Sequence, residues 1–562
     1  MKKGIAHMKI SKGKGHMKIG KGMAHMNLKN LTPHGRGVRG LTLSRSSILF
    51  GGAFGRIFRA LPPAEFGAND VETRANLKVL GKAMVGTDDK PKDGPDAEES
   101  GIPSLFTYLG QFVDHDLTFD PASSLQQQND PDGLVDYRTP KFDLDNVYGR
   151  GPDDQPYLYD FSEGSDRAKF LMGMSLKGAP AIVPPAQDLA RNSAQPARAI
   201  IGDPRNDENA LVSQLQGLFL RFHNRLITDK KMKFADAQRT LRFHYQWMLI
   251  HDFLAKVVNK QTLHSVFPHL ASGKSIADDP PVLRFYHVKN EAFMPLEFSV
   301  AAYRFGHSMV RPGYRLNDET PPLPIFGDQG GKPRPLSLRG FMAPLDIWAL
   351  DWARFIDIET RPNGAMLDDD GKVNGKEPTD QQLAENKARL QLAYRIDTSI
   401  VFPLGDLPPD VADLIIPSLA ERNLVRGWRL RLPSGQAVAK AMGEVPLEKI
   451  LIGKFTDQID AFDIKDLTDT DNGNRPVKAF IDNCPLWTYC LAETNDHTVP
   501  GLFGVKTKQL GPVGGRIVAE TFAGLLTSDS QSFFGQDPRW TPALGDGKTF
   551  GLREFVKFAI GK

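Results

Sequence analysis

The chain has 562 residues and a mass of 62.2 kDa, long enough to bury a large core. Its 40% hydrophobic and 24% charged residues exclude a fibrous or disordered chain, and a formal net charge of +3 gives no reason to expect a nucleic-acid enzyme whose surface tracks phosphates. No apolar run reaches membrane-spanning length. Two cysteines, Cys484 and Cys490, exclude a disulfide framework; in CPLWTYC they read as semi-buried thiols of a reducing compartment, or as a pair if the chain bends sharply there.

The chain opens on a repeat. AHMKISKGK, GHMKIGKGM and AHMNLKNLT place His7, His16 and His25 at a constant interval that His34 continues. This Lys/Gly-rich stretch lacks the apolar core of a secretory signal. It reads as a disordered basic arm, residues 1–35, suited to touching an anionic surface or to holding a soft metal through His and Met. The compartment is open between cytoplasm and secretion without a recognisable signal peptide.

Residues 36–562 read as one long catalytic domain. GTDDKPKDGPDAEES (86–100) and DDDGKVNGKEPTD (368–380) are expected to be surface insertions, since Gly, Pro, Asp and Lys rarely supply a buried face. Between the loops the pattern is helical: Leu105, Leu109, Phe112 and Val113 recur at helical spacing, as do Leu211, Leu215, Leu218, Phe222 and Leu226. Strand-like alternation is scarce, so the fold class is mainly α.

Three segments carry candidate chemistry. In GQFVDHDLTFD, Gln111 and His115 are four apart and share a helix face, so both can look into one cavity. A histidine flanked by Asp114 and Asp116 is, taken alone, as readily a solvated or core one. In GDPRNDENALVSQLQGLFLRFHNRL, Arg205 and Glu208 lie just before a long amphipathic helix. Arg205 stays charged and suits an anionic or polarised oxygen, while the acidic residues could merely complement the helix N-terminus. His223 competes as a ligand, although its place between Phe222 and Asn224 reads as structural. The third segment is AAYRFGHSMVRP, containing Arg304 and His307.

Together these segments resemble the animal-type haem peroxidases of the peroxidase-cyclooxygenase superfamily. RFGHSMVRP resembles their proximal-histidine helix, GQFVDHD their distal helix and FLRFHNRL the helix after their catalytic arginine, in the same chain order. RNLVRGWRLRLPSGQ resembles the stretch whose asparagine accepts a hydrogen bond from the proximal imidazole and whose arginine meets a haem propionate. Several motifs in order are more specific than any one.

The resemblance implies a haem b-derived cofactor with His307 as axial ligand, oriented by Asn423, and with Arg304 and Arg426 at the propionates. It implies that His115 moves a proton of hydrogen peroxide, Arg205 stabilises developing charge and Gln111 places the peroxide or a water. Asp114 and Glu208 correspond to the carboxylates that ester-link the haem. Asn209 stands where some members have a methionine sulfonium link, so that bond is ruled out and the small donors expected are bromide, iodide, thiocyanate or phenols rather than chloride. YRTPKFDLDNVYG resembles the family's calcium loop, with Thr139, Lys141 through its carbonyl, Asp143, Asp145 and Asp116 as oxygen ligands. Two other readings are a fatty-acid dioxygenase on the same scaffold, weakened because Arg304 stands where such enzymes have their radical tyrosine and Tyr303 is one residue further back, and a non-catalytic haem- or calcium-binding adhesive protein.

Overall fold

The computed structural model describes residues 52–562 apart from 87–89, 120–134, 137, 183–184, 289–290, 330–331, 334–335, 369, 409–415, 454–460 and 546–548. The His/Met repeat of residues 1–35 therefore lies outside the described residues.

Helices build the core and short strand pairs edge it. The main helices are α1 (Asp70–Ala83), α2 (Leu105–Leu117), α3 (Ala210–Thr228), α4 (Phe234–Met248), α5 (Leu419–Arg429), α6 (Pro512–Ser528) and α7 (Leu552–Ile560). Among the described residues no helix is long and apolar enough to cross a membrane.

Both helices expected from periodicity form, and their stripes meet. Leu105, Leu109, Phe112 and Val113 on α2 and Leu211, Leu215, Leu218 and Phe222 on α3 are all buried. Phe112 stacks on Phe219 with ring centroids 4.1 Å apart, and Phe222 stacks on Phe555 of α7 at 4.7 Å. Each such ring contributes roughly 1.5–3 kcal/mol by leaving water. The α2–α3–α7 stack thus gives the segments around His115 and Arg205 a packed base.

The N-terminus of α3 is set by Asn209, whose side chain accepts from the Leu211 and Val212 amides at 3.1 and 2.8 Å, satisfying donors the helix leaves orphaned. Its histidine is structural. His223 sits fully buried with Nδ1 2.9 Å from the Tyr148 hydroxyl and Nε2 3.1 Å from the Ala168 carbonyl.

The loop at 368–380 is largely exposed, as expected, but the one at 86–100 is corrected at its far end. Gly94, Pro95 and residues 98–100 are buried, and Glu99 opens strand β1 (Glu99–Pro103), which pairs antiparallel with β2 (Leu392–Tyr394). The carboxylate survives burial because Arg389 grips it through two bonds of 2.6 and 2.7 Å and Arg311 adds another. A buried charge is tolerated when it is paired and hydrogen-bonded in this way. The pairing reading of the cysteines also gives way: Cys484 and Cys490 are both free and fully buried, which pushes both thiols up and leaves them unreactive.

Candidate active site

The candidate residues lie on two neighbouring parts of the fold. On one side α2 carries Gln111, Asp114, His115 and Asp116, and the 3-10 turn Pro204–Asp207 carries Arg205. On the other, the π turn Glu297–Ala301 runs into a 3-10 helix, Ala302–His307, that ends on His307. Such breaks from α geometry recur at functional sites. The Tyr303 hydroxyl donates to the Gly110 carbonyl at 3.3 Å, tying the 3-10 helix to α2. Arg304 Nη1 lies 3.9 Å from Asp114 Oδ2. The Asp114 carboxylate acts electrostatically on both His115 and His307.

The 3-10 turn is locked from outside. Arg191 bridges Asp188, at 2.6 Å, and both oxygens of Asp207, at 2.8 Å each. Asp203 caps the turn by accepting from the Arg205 amide at 2.8 Å. With Asp207 drawn outward, Arg205 and Asn206 are left to face α2.

Arg205 is held by two partners. Its Nη2 donates to Asp203 Oδ2 at 2.8 Å and to the His115 carbonyl at 2.9 Å, and its guanidinium lies 4.6 Å from the centre of the Phe119 ring. Asp203, fully buried, also accepts from Arg138 Nε at 3.1 Å. Although burial opposes its charge, the two guanidiniums hold its carboxyl far below the usual range.

His115 is 2% exposed. Its Nδ1 lies 2.7 Å from Asn206 Oδ1, and its Nε2 lies 3.6 Å from Glu208 Oε1. Burial foremost, then Arg205, pushes the imidazole down to about 4, so it is neutral near pH 7. Glu208 is pushed up to about 8, mainly by burial. Gln111 donates to Glu208 Oε1 and accepts from Asn209 Nδ2 at 3.2 Å; the side chain expected to place peroxide is thus itself anchored at both ends.

His307 has a simpler setting. Its Nδ1 is 2.8 Å from the Asn423 amide nitrogen on α5. Asn423 and His307 are brought together as expected, but the amide nitrogen rather than the oxygen faces the ring, opposite to the acceptor role expected of Asn423; a half-turn, which leaves the shape unchanged, would make Asn423 the acceptor. Burial foremost pushes His307 down to about 3. Arg426 lies one helical turn after Asn423 and is half-buried.

The residues fit a large flat cofactor. His307 is half-buried, the side chains of Arg304 and Asp114 are 25% and 19% exposed, and a side chain at Gly306 would meet no atom within 4 Å. The donor set, an imidazole with the cationic Arg304 and Arg426 on the neighbouring elements, would suit an iron porphyrin with anionic arms.

Beside α2, the carboxylates of Asp116, Asp143 and Asp145 offer oxygens all within 4.8 Å of one another. Asp116 Oδ1 and Asp145 Oδ1 are buried without a hydrogen-bond partner. Burial, then mutual repulsion, drives Asp116 well up and Asp143 up to about 7. Thr139 joins the group by donating to Asp143 at 2.8 Å. Arg138 Nη1 already meets Asp145 at 3.0 Å, and Lys141 sends its ammonium to Asp529 at 3.7 Å.

Sequence reasoning passed over Asn206, Asp203, Arg138 and Gln216, the last accepting from Asn206 Nδ2 at 2.8 Å. The signal for Asp203 was the Asp-Pro start of a turn; nothing local marked the others.

Comparison with known proteins agrees with this geometry. A family model for the animal haem peroxidase matches residues 122–329, a span that includes Arg205, Glu208 and His307. That span is less than half of the chain, and over it the protein is similar to animal haem peroxidases. The chain shares 26% identity over 192 residues with the human "Probable oxidoreductase PXDNL", covering 33% of this chain but only 12% of that much longer protein. The fold is similar to that of Peroxidase A from Dictyostelium discoideum, with a TM-score of 0.50 and 16% identity over 91% of this chain and 93% of that one.

Proposed function

We propose that this protein is a haem-dependent peroxidase that reduces hydrogen peroxide and oxidises small donors, with residues 36–562 as its single catalytic domain. One observation carries the reading: the Tyr303 hydroxyl donates to the Gly110 carbonyl at 3.3 Å and Arg304 lies 3.9 Å from Asp114, so the segment that ends on His307 packs against the helix that carries His115.

His307 would hold the haem iron, with Asn423 orienting its ring, Arg304 and Arg426 meeting the propionates, and Asp114 and Glu208 as ester links. When bound, the haem supplies the redox chemistry that splits peroxide and oxidises a donor. The chain supplies the rest. His115 Nε2 takes a proton from peroxide and returns it to the departing oxygen. Arg205, fixed by Asp203, presents a permanent positive charge toward the negative charge that develops. Gln111, braced between Glu208 and Asn209, sets the polar edge against which peroxide or water rests.

Asn209 brings no sulfur to the haem edge, which favours bromide, iodide, thiocyanate or phenols over chloride. Asp116, Asp143 and Asp145 with Thr139, and Lys141 through its carbonyl, would bind calcium, whose charge removes the repulsion that raises these carboxyls. The test is peroxide-dependent oxidation of guaiacol and bromide by haem-loaded protein. Turnover should fall at least about 10²-fold in His115→Leu; haem-loaded protein without turnover, or turnover indifferent to that change, contradicts the reading.

A further inference from the structure

We infer that Asn206 is a positioning residue that fixes the tautomer of His115, holding the proton on Nδ1 so that Nε2 offers a lone pair to peroxide. The inference rests on the reading of His115 as the proton-transfer base, and it adds a residue that neither the motifs nor the resemblance supplied.

A neutral imidazole has one donor nitrogen and one acceptor nitrogen, and the partner of one decides the state of the other. Here Nδ1 faces Asn206 Oδ1 at 2.7 Å. An amide oxygen only accepts, so the proton sits on Nδ1. The amide nitrogen of Asn206 donates to Gln216 Oε1 at 2.8 Å, so turning Asn206 requires turning Gln216 as well. Asn206 and Gln216 are each 0% exposed, so water does not compete for these bonds.

The backbone beneath Asn206 is equally constrained. Its amide donates to the Asp203 carbonyl at 3.1 Å, and the next residue, Asp207, is clamped by Arg191 through two bonds of 2.8 Å. Gln216 lies within α3, whose start Asn209 caps. The relay Gln216–Asn206–His115 therefore hangs from a stacked helix and a pinned turn, and its free end, Nε2, points toward Glu208 at 3.6 Å. The opposite amide setting would put the proton on Nε2, where it could not accept one from peroxide. Only one direction of the relay serves the reaction.

The experiment compares the peroxide reaction rate of haem-loaded wild type, Asn206→Leu and Asn206→Asp by stopped flow, with the haem spectrum as a control for loading and for the His307 side. Leucine keeps the bulk and removes the acceptor. Aspartate accepts but cannot donate, so it enforces the inferred direction. The expected result is a loss of about 10²-fold in Asn206→Leu, recovered to within about tenfold of wild type by Asn206→Asp, with spectra unchanged. Should Asn206→Leu fail to fold, Asn206→Ala takes its place against the same rescue. Equal rates in all proteins overturn the positioning role while leaving His115 as base; equal loss in the leucine, or alanine, and aspartate variants overturns the direction of the bond. Wild type that binds haem yet consumes no peroxide overturns both this inference and the reading beneath it.

Discussion

The two sides of the candidate site are built differently. On the His115 side nearly every polar atom is tied to another: Asn206 and Gln216 behind the imidazole, Asp203 and Arg138 behind Arg205, Glu208 and Asn209 around Gln111. On the His307 side the half-buried imidazole has one amide partner. The contrast fits the proposed division of roles. A proton-moving base and a charge-stabilising cation need fixed directions, which only several bonds per group supply. A ligand imidazole needs one orienting partner, because a metal bond fixes the rest.

Changes that break the first network should therefore cost most. Arg205→Ala is expected to slow peroxide consumption by about 10²–10³-fold, the scale of losing one preorganised donor, with haem binding retained; steady-state rates at saturating haem check this. On the sparser face Asn423→Ala should cost less, about 10-fold to 10²-fold in turnover, together with a change in the ferric haem spectrum that Arg205→Ala does not produce.

Cation removal sharpens the comparison further, since Asp116 directly follows His115. Chelation should lower the melting temperature by a few degrees and slow the peroxide reaction without altering the His307-side spectrum. The sign with pH is fixed. The folded-state carboxyls of Asp116 and Asp143 are raised, so without a cation stability falls as pH rises past about 4 toward 7 and these groups are forced to ionise together. The melting loss on chelation should therefore be larger at pH 8 than at pH 5, as scanning calorimetry would show.

The smallest effect belongs to the scaffold under both faces. His223 is pushed down to about 4 by burial, below its ordinary 6.5. Between those values the unfolded chain binds a proton that the folded one refuses, so its stabilising contribution is present above about pH 6.5 and is lost as pH falls toward 4. At pH 5 the cost is about 2 kcal/mol, readable as a lower urea midpoint than at pH 7, and a difference that shrinks in His223→Gln.

This division also decides what the sequence could reveal. Helices α2 and α3 were legible because Leu105, Leu109, Phe112 and Val113, and the matching set on α3, repeat at the helical period. Gln111, His115, Arg205 and His307 were legible because each stands in a distinctive run. Asn206 was not: its partner Gln216 lies ten residues on, across a change from 3-10 to α geometry, and an asparagine in a turn ordinarily reads as a turn residue. Glu99 was misjudged for a related reason. Its partners Arg311 and Arg389 lie hundreds of residues away, and composition alone made its loop look solvated. Local pattern reports periodicity; the pairing of buried polar groups is settled by the fold.

The central claim is that His307 and His115 face one another across a haem. Absorption and electron paramagnetic resonance spectra of the full-length protein reconstituted with haem test it most directly, beside His307→Ala and His115→Ala. The account predicts one haem per chain with a Soret band, an axial-ligand signature that His307→Ala abolishes and His115→Ala preserves. No Soret band under ample haem, or a ligand signature unchanged in His307→Ala, would contradict it.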